Sequence, residues 1–184
     1  VGRGIVVDTL KHLNRVLSVD PEARTAVVQP GVVHADLQRA VAPHGLRFGP
    51  DPSTHTRCTI GGMIGNNACG SRALGYGRTS DNVVGLDVVT GAGERLRLGP
   101  DGAAGGGVLD ALRTLVDGEL AAIRTELSRF GRQVSGYSLE HLLPERGFDV
   151  ARALVGSEGT LALTLGATVR LVTDAPVRGL VVLG

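Results

Sequence analysis

Apolar and polar residues alternate in two short segments near the start of the chain. Residues 15–19 and 25–29 both show this two-residue period, and the residues between them, Asp20 to Ala23, include a proline and are typical of a turn. The pattern predicts a β-hairpin that Pro30 ends. Residues 5–8, which begin with three apolar side chains, predict a further short strand before it.

Apolar residues at helical spacing predict three helices farther along the chain. One apolar face covers residues 33–41, and a longer series over residues 108–130 predicts a second helix that breaks at Gly118. Residues 139–143 predict a short third helix, which Pro144 ends because proline cannot donate a backbone hydrogen bond.

The remaining apolar segments predict strands. Residues 83–90 and 94–98 flank a Gly-Ala-Gly turn and predict a second hairpin, and residues 46–48 predict a short extended piece. Residues 153–155 and 161–172 predict two closing strands. Hairpins mixed with helices, without regular strand–helix alternation, indicate an α+β fold with a mostly antiparallel sheet flanked by helices.

Composition excludes several functions. Nineteen basic and eighteen acidic residues give a net charge of +1 without a basic run, and aromatic residues make up 3%, so a nucleic-acid surface is not expected. No apolar run reaches the ~20 residues of a membrane helix, and the first residues given show no signal-peptide pattern. Cys58 and Cys69 lack metal-ligand spacing, so we expect no metal site and a reducing, cytoplasmic location, free or peripheral to the inner face of the membrane.

Residues 49–80 show neither period and are rich in glycine, which makes up 28 of the 184 residues of the chain. Gly61, Gly62, Gly65 and Gly70 place backbone N–H groups at short intervals among small polar side chains. Such a segment suits a pyrophosphate, whose oxygens accept many backbone hydrogen bonds. Neither a P-loop nor a GxGxxG motif is present. Two interpretations remain open: an anion cradle, or a glycine-rich turn that packs against a neighbouring helix.

Four sequence blocks together carry a family resemblance. They are PDPST at residues 50–54, TIGGMIGNNACGS at 59–71, YGRTSDNV at 76–83 and VGSEGTL at 155–161. They resemble the FAD-binding domain of the vanillyl-alcohol oxidase / p-cresol methylhydroxylase (PCMH-type) fold. The similarity is greatest to the branch with D-lactate dehydrogenase, glycolate oxidase and D-2-hydroxyglutarate dehydrogenase. NNACGS with SGYSLEHLL resembles members fused to an iron–sulfur domain.

The resemblance implies one FAD-binding PCMH-type domain over residues 1–184 that lacks part of its N-terminal subdomain. Residues 1–48 would be the remainder of the first subdomain and residues 49–184 the second. A glycine-rich RGxGTS loop would precede Val1, so the chain by itself is expected to bind FAD poorly and to be inactive.

The resemblance also assigns the cofactor contacts. Residues 50–54 would lie along the isoalloxazine and ribityl groups, residues 59–62 would donate backbone N–H groups to the pyrophosphate, and residues 158–163 would meet the adenine half. Relatives read GTLGI where this chain reads GTLAL. The implied FAD-binding residues are Pro50, Asp51, Pro52, Ser53, Thr54, Thr59, Ile60, Gly61, Gly62, Gly65, Asn66, Asn67, Ala68, Gly70, Ser71, Tyr76, Gly77, Asp81, Asn82, Val83, Glu158, Gly159, Thr160, Leu161 and Leu163.

The implied activity is oxidation of a D-2-hydroxy acid by hydride transfer to FAD. An iron–sulfur domain or a membrane-linked carrier would take the electrons, and the catalytic and metal-binding residues would lie outside this chain. Two alternatives remain open. One is a flavoenzyme of the same fold with other chemistry, such as an ether-lipid synthase or a cell-wall sugar reductase. The other is a non-catalytic domain that binds no flavin.

Overall fold

The computed structural model describes residues 6–100, 106–127, 129–130, 136–175, 179 and 181–182. Within these residues, six strands form one antiparallel sheet in the order β1-β2-β6-β4-β5, with β3 paired to β6. The strands are β1 (Val16–Asp20), β2 (Thr25–Val28), β3 (Leu46–Phe48), β4 (Val83–Thr90), β5 (Arg95–Leu98) and β6 (Ala162–Thr173).

Strand β6 holds the sheet together because it pairs with three other strands. Ala167 of β6 lies opposite Val28 of β2 on one side and opposite Leu86 of β4 on the other. Farther along β6, Leu171 lies opposite Phe48 of β3. The two hairpins, which are distant in sequence, therefore join through a strand near the end of the chain.

Helices flank the sheet. They are α1 (His34–Val41), α2 (Ile60–Gly65), α3 (Ala73–Tyr76), α4 (Thr79–Asn82), α5 (Gly107–Gly118), α6 (Leu120–Glu126) and α7 (Val150–Leu154). Short 3₁₀ helices cover Ala42–His44, Leu139–Leu142 and Pro144–Arg146. None of the helices in the described ranges is long and apolar enough to cross a membrane.

Two apolar clusters fill the interior. The larger one packs the inner face of the sheet against α1 and α2, and its fully buried side chains include Leu37, Phe48 and Ile60. The smaller one lies around α5 and α6 and contains Val116 and Ile123. Each fully buried aliphatic or aromatic side chain contributes roughly 1.5–3 kcal/mol to folding, relative to leaving it exposed. Aliphatic side chains make up most of this core, so they supply most of this contribution.

Most of the predicted elements are confirmed, among them both hairpins, α1, β3, β6 and the helix interrupted next to Gly118. Two predictions differ from the structure: residues 153–155 belong to the end of α7 and the residue after it, and residues 6–8 are outside any strand. Residues 49–80, in which neither period appears, contain α2, α3 and the start of α4. Ile5 and Ser128, within a predicted strand and a predicted helix, lie outside the described residues.

The error at residues 153–155 has a local cause. The carboxylate of Asp149 accepts the backbone N–H of Arg152 at 3.0 Å and so caps the first turn of α7. A short apolar run has no period of its own that separates strand from helix. The cap, which lies four residues before the apolar run, decides between the two.

Candidate functional site

A cavity of about 280 Å³ lies where several distant parts of the chain meet. Its walls come from Thr9 near the N-terminus, from Pro30 after the first hairpin, from α2, from the turn over residues 156–159, and from the start of β6. Leu86 and Val88 of β4 supply an apolar wall. Thr9, Thr59, Ser157 and Thr164 are its hydroxyl-bearing residues.

Helix α2 begins at this cavity and is attached to the segment after the first hairpin. Ile60 N–H donates to the carbonyl of Val32 at 2.8 Å, and Gly61 N–H donates to the carbonyl of Pro30 at 2.7 Å. Thr59 is the N-cap, and its Oγ1 accepts the Gly62 N–H at 3.1 Å. The backbone N–H groups of Ile60, Gly61 and Gly62, all expected to face a pyrophosphate, therefore donate within the chain instead.

The glycines of the predicted cradle fall into two groups. A Cβ on Gly61 would lie 2.7 Å from the Pro30 Cβ, and a Cβ on Gly70 would overlap the Asp51 carbonyl. A Cβ on Gly62 would meet only Thr59 Oγ1, at 3.2 Å, and one on Gly65 would meet only Glu158 Cα, at 3.8 Å. Close packing explains the first two glycines, whereas Gly62 and Gly65 leave the cavity wall without a side chain.

The turn over residues 156–159 completes this wall. Gly156, Glu158 and Gly159 have φ values of 95°, 53° and 74°, a left-handed conformation that is uncommon for residues other than glycine. The Gly156 N–H donates to Ile64 O at 2.8 Å, and the Glu158 N–H donates to Gly65 O at 3.0 Å. The two segments predicted to share one cofactor thus lie against each other, although they are far apart in sequence.

The segment 50–54 is held by a buried arginine and a buried histidine. Arg47, only 7% exposed, pairs with Asp51 at 3.5 Å, and Arg72 pairs with the same carboxylate at 3.1 Å. His34 Nε2 lies 2.8 Å from the Pro50 carbonyl oxygen, which can only accept, so this hydrogen bond requires the ring proton on Nε2. Burial of His34 lowers its pKa below the ordinary value, so the imidazole is neutral at physiological pH.

Two of the predicted asparagines also make contacts within the chain. Asn67 is buried, and its side-chain oxygen accepts the Ser80 N–H at 3.0 Å. The amide of Asn82 donates to the carbonyls of Tyr76 and Arg78 at 2.7 and 2.8 Å. These contacts fix the segment between α2 and β4, which includes α3 and α4.

Asp81 joins two helices. Its carboxylate accepts the Arg78 N–H at 2.9 Å and pairs with Arg152 of α7 at 2.7 Å. Burial acts to raise the pKa of Asp81, but the Arg78 N–H and the guanidinium groups of Arg78 and Arg152 outweigh it and hold this pKa below its usual value. The carboxylate is therefore charged and stabilises the packing of α4 on α7.

The structure brings only some of the predicted cofactor residues to the cavity. Those that line it are Thr59, Gly61, Gly62, Gly65, Gly159 and Leu163. The predicted residues that do not line it are Pro50, Asp51, Pro52, Ser53, Thr54, Ile60, Asn66, Asn67, Ala68, Gly70, Ser71, Tyr76, Gly77, Asp81, Asn82, Val83, Glu158, Thr160 and Leu161. Among these, Asp81 and Val83 line a different cavity.

Sequence reasoning missed several residues of the cavity. Thr9 and Thr164 carry no motif, Pro30 is predicted only as the end of the first hairpin, and the strand residues Leu86 and Val88 have the pattern of an ordinary core. Ser157 could have been found, because it stands inside the VGSEGTL block next to the predicted Glu158. The others become visible only when the sheet brings the N-terminal segment, β4 and β6 together.

Comparison with known sequences identifies the family. The family model described as FAD binding domain matches residues 1–99. D-2-hydroxyglutarate dehydrogenase of Pseudomonas putida is 38% identical over 176 residues, which cover 89% of this chain and 18% of that protein. Glycolate oxidase subunit GlcD of Bacillus subtilis is 38% identical over 169 residues, covering 92% of this chain and 28% of that protein. The chain thus spans less than a third of the length of these relatives.

Solved structures support the fold. The structure of an alkyldihydroxyacetonephosphate synthase superposes with a TM-score of 0.58 at 22% identity, covering 89% of this chain and 24% of that chain. At this identity the likeness concerns the fold alone, and the expected α+β fold of the PCMH type is confirmed. Since the family match covers more than half of the chain, this chain belongs to the FAD binding domain family, and its cofactor is FAD.

Proposed function

We propose that this chain is the FAD-binding part of an oxidoreductase that acts on a 2-hydroxy acid, of the D-2-hydroxyglutarate dehydrogenase and glycolate oxidase type. The 38% identity over 176 residues to a D-2-hydroxyglutarate dehydrogenase carries the proposal. The 38% identity over 169 residues to a glycolate oxidase subunit supports the same substrate class. Both proteins act on compounds with a hydroxyl group next to a carboxylate.

The glycine-lined cavity would hold a part of the FAD. Gly62, Gly65 and Gly159 leave one wall open, and a Cβ on Gly159 would meet nothing within 4 Å. Thr59 and Ser157 bring hydroxyl groups to the same space. These five residues would hold the cofactor, and FAD would supply the two-electron acceptor for the hydride that leaves the substrate carbon.

The segment 50–54 would position the reacting end of the cofactor. Arg47, Arg72 and His34 hold this segment from within the domain through Asp51 and Pro50. Such anchoring limits the movement of a loop that must define a precise distance to a bound group. Residues 66–71, 76–77 and 81–83 would then act by shaping this loop region.

The same proposal extends to the rest of the reaction. The electrons would pass to an iron–sulfur domain of the same protein or to a membrane-linked carrier, and the protein would work in the cytoplasm. The residues that bind the substrate carboxylate, and the residue that acts as the catalytic base, would lie outside residues 1–184. These statements rest on the sequence blocks shared with the family.

Anaerobic reduction of the full-length gene product tests the proposal. The purified protein should show flavin absorbance bands, and D-2-hydroxyglutarate, D-lactate or glycolate should bleach them. A protein without flavin absorbance would be the non-catalytic alternative. Flavin bands that none of the three acids bleaches would point to a flavoenzyme of other chemistry, and the 2-hydroxy-acid proposal would be wrong.

A further inference from the structure

The hydroxyl of Tyr137 contacts the residue that follows the turn over residues 156–159. Its oxygen lies 3.0 Å from Thr160 Oγ1, although the two residues are 23 positions apart in the chain. Tyr137 is 45% exposed, so it does not fill the apolar core. Core packing therefore does not explain a tyrosine at this position.

The direction of the hydrogen bonds follows from the chemistry of the three groups. Thr160 Oγ1 lies 2.6 Å from the Ser157 carbonyl oxygen, which can only accept, so the threonine proton is used there. The Thr160 oxygen must then accept from the tyrosine, which makes the phenol the donor. The result is a chain in which Tyr137 donates to Thr160 and Thr160 donates to Ser157.

This hydrogen-bond chain ends in the wall of the glycine-lined cavity. Ser157 is buried and lines the cavity, as does Gly159. The Ser157 carbonyl also accepts the Thr160 N–H at 3.0 Å, so Thr160 closes the turn with both its backbone and its side chain. The position of Ser157 in the wall therefore depends on the orientation of the Thr160 side chain, which Tyr137 fixes.

The turn needs this support because its backbone is strained. Glu158 has a φ of 53°, a left-handed conformation that residues other than glycine keep only where surrounding contacts fix it. Two of these contacts come from α2, whose Ile64 and Gly65 carbonyls accept the N–H groups of Gly156 and Glu158. The hydrogen-bond chain from Tyr137 adds a support from a different element of the structure.

Tyr137 is itself anchored to a buried element. Its carbonyl accepts the Leu139 N–H at 3.0 Å, at the start of the 3₁₀ helix Leu139–Leu142. Leu142 of that helix is 1% exposed and belongs to the smaller apolar cluster. The backbone of Tyr137 therefore has a fixed position from which its side chain can hold the turn.

We propose that Tyr137 is a positioning residue of the FAD site, which holds the turn over residues 156–159 in the conformation that receives the cofactor. A site that adopts its binding conformation only part of the time binds its ligand more weakly in proportion. Loss of the tyrosine hydroxyl therefore lowers the affinity for FAD, although the tyrosine acts only through Thr160. The inference rests on the proposed binding of FAD in this cavity.

Dilution of the full-length holoprotein, followed by the fluorescence of released FAD, gives the Kd for FAD and tests this role. Tyr137→Phe removes only the hydroxyl and should raise the Kd about 2- to 10-fold, the usual effect of one neutral hydrogen bond. Thr160→Val removes both side-chain hydrogen bonds and should raise the Kd further, whereas Thr160→Ser keeps the hydroxyl and should bind FAD like the wild type. Thr125→Val is the matched control, because the Thr125 hydroxyl donates to the Ala121 carbonyl within α6, outside the cavity lining.

A double variant distinguishes a positioning role from direct contact with FAD. Tyr137→Phe combined with Thr160→Val should bind FAD like Thr160→Val alone, because the tyrosine acts through the threonine. Additive losses in the double variant, or a wild-type Kd in Tyr137→Phe, would overturn the inference and leave the proposed function standing. Wild-type full-length protein without flavin would instead contradict the proposed function and this inference with it.

Discussion

Gly61 and Gly62 are adjacent, yet the absence of a side chain matters at each for a different reason. Gly61 lies against Pro30, so any side chain there would push α2 away from the segment that anchors it. Gly62 lines the cavity, and a Cβ added there would contact only the side-chain oxygen of Thr59, the N-cap of the same helix. A packing role and the proposed binding role would therefore occur side by side in one motif, and substitution can separate them.

Gly62→Val should lower the FAD content of the full-length gene product while the domain stays folded, because the added methyl groups would occupy the cavity. Gly61→Ala should instead destabilise the fold by about 1–3 kcal/mol, the usual cost of overpacking. Gly75→Ala is the matched control, because its Cβ would meet nothing within 4 Å. The flavin-to-protein absorbance ratio and urea unfolding measure both effects. Full flavin content in Gly62→Val would contradict the role assigned to this glycine.

At the scale of an element, α2 is a helix with little intrinsic stability. Three of its six residues are glycine, and each glycine costs roughly 1 kcal/mol relative to alanine in a helix interior. The helix is therefore expected to depend on its ends. The Thr59 side chain and the hydrogen bonds from Ile60 and Gly61 to the residues at 30–32 supply that support.

Thr59→Ala should lower the free energy of unfolding by about 0.5–2 kcal/mol, because the hydroxyl that caps α2 is lost. Thr59→Ser keeps the hydroxyl and should restore most of the difference. Urea unfolding of both variants beside the wild type measures the change. Equal stability of the alanine and serine variants would show that the backbone anchors alone hold the helix.

The ion pair between Asp81 and Arg152 links α4 to α7, and the coupling energy between these two side chains can be measured. A double-mutant cycle of Asp81→Ala and Arg152→Ala should give about 0.5–1 kcal/mol, because each side chain is 34% exposed and solvent screens the pair. Asp36 and Arg39, an exposed pair within α1, provide the control cycle and should give less. Equal coupling in the two cycles would mean that burial adds nothing at Asp81.

The sequence predicts the elements of this protein better than it predicts the site. Local period and turn chemistry identify both hairpins and α1, since these depend on neighbouring residues. The cavity depends on β6 pairing with β2, β3 and β4, and on two hydrogen bonds between the turn over residues 156–159 and α2. Such contacts between distant residues leave no period in the sequence. The motif blocks locate Gly62 and Gly159, but they cannot show that Gly61 and Gly70 are required for packing.

At the scale of the whole molecule, two buried histidines couple stability to pH. Burial lowers the pKa of both His34 and His141 from 6.5. As the pH falls, these histidines therefore take up protons at a higher pH in the unfolded chain than in the folded one. Stability is therefore complete above pH 6.5 and is lost as the pH falls from there through the lowered folded values. The pKa of Glu145, lowered to about 2 from 4.5, matters only in more acidic solution.

Urea unfolding at several pH values on both sides of 6.5 should show this loss, with a slope of up to about 1.4 kcal/mol per pH unit for each histidine. His34→Gln should be less stable at neutral pH, because the hydrogen bond to Pro50 is disturbed, and it should also show a shallower pH slope, because one titrating group is gone. His44→Gln, at an exposed position, should keep the wild-type slope. A His34 variant that keeps the wild-type slope would show that His34 is not responsible for the acid sensitivity. The pH dependence would then be assigned to His141, whose pKa burial lowers as well.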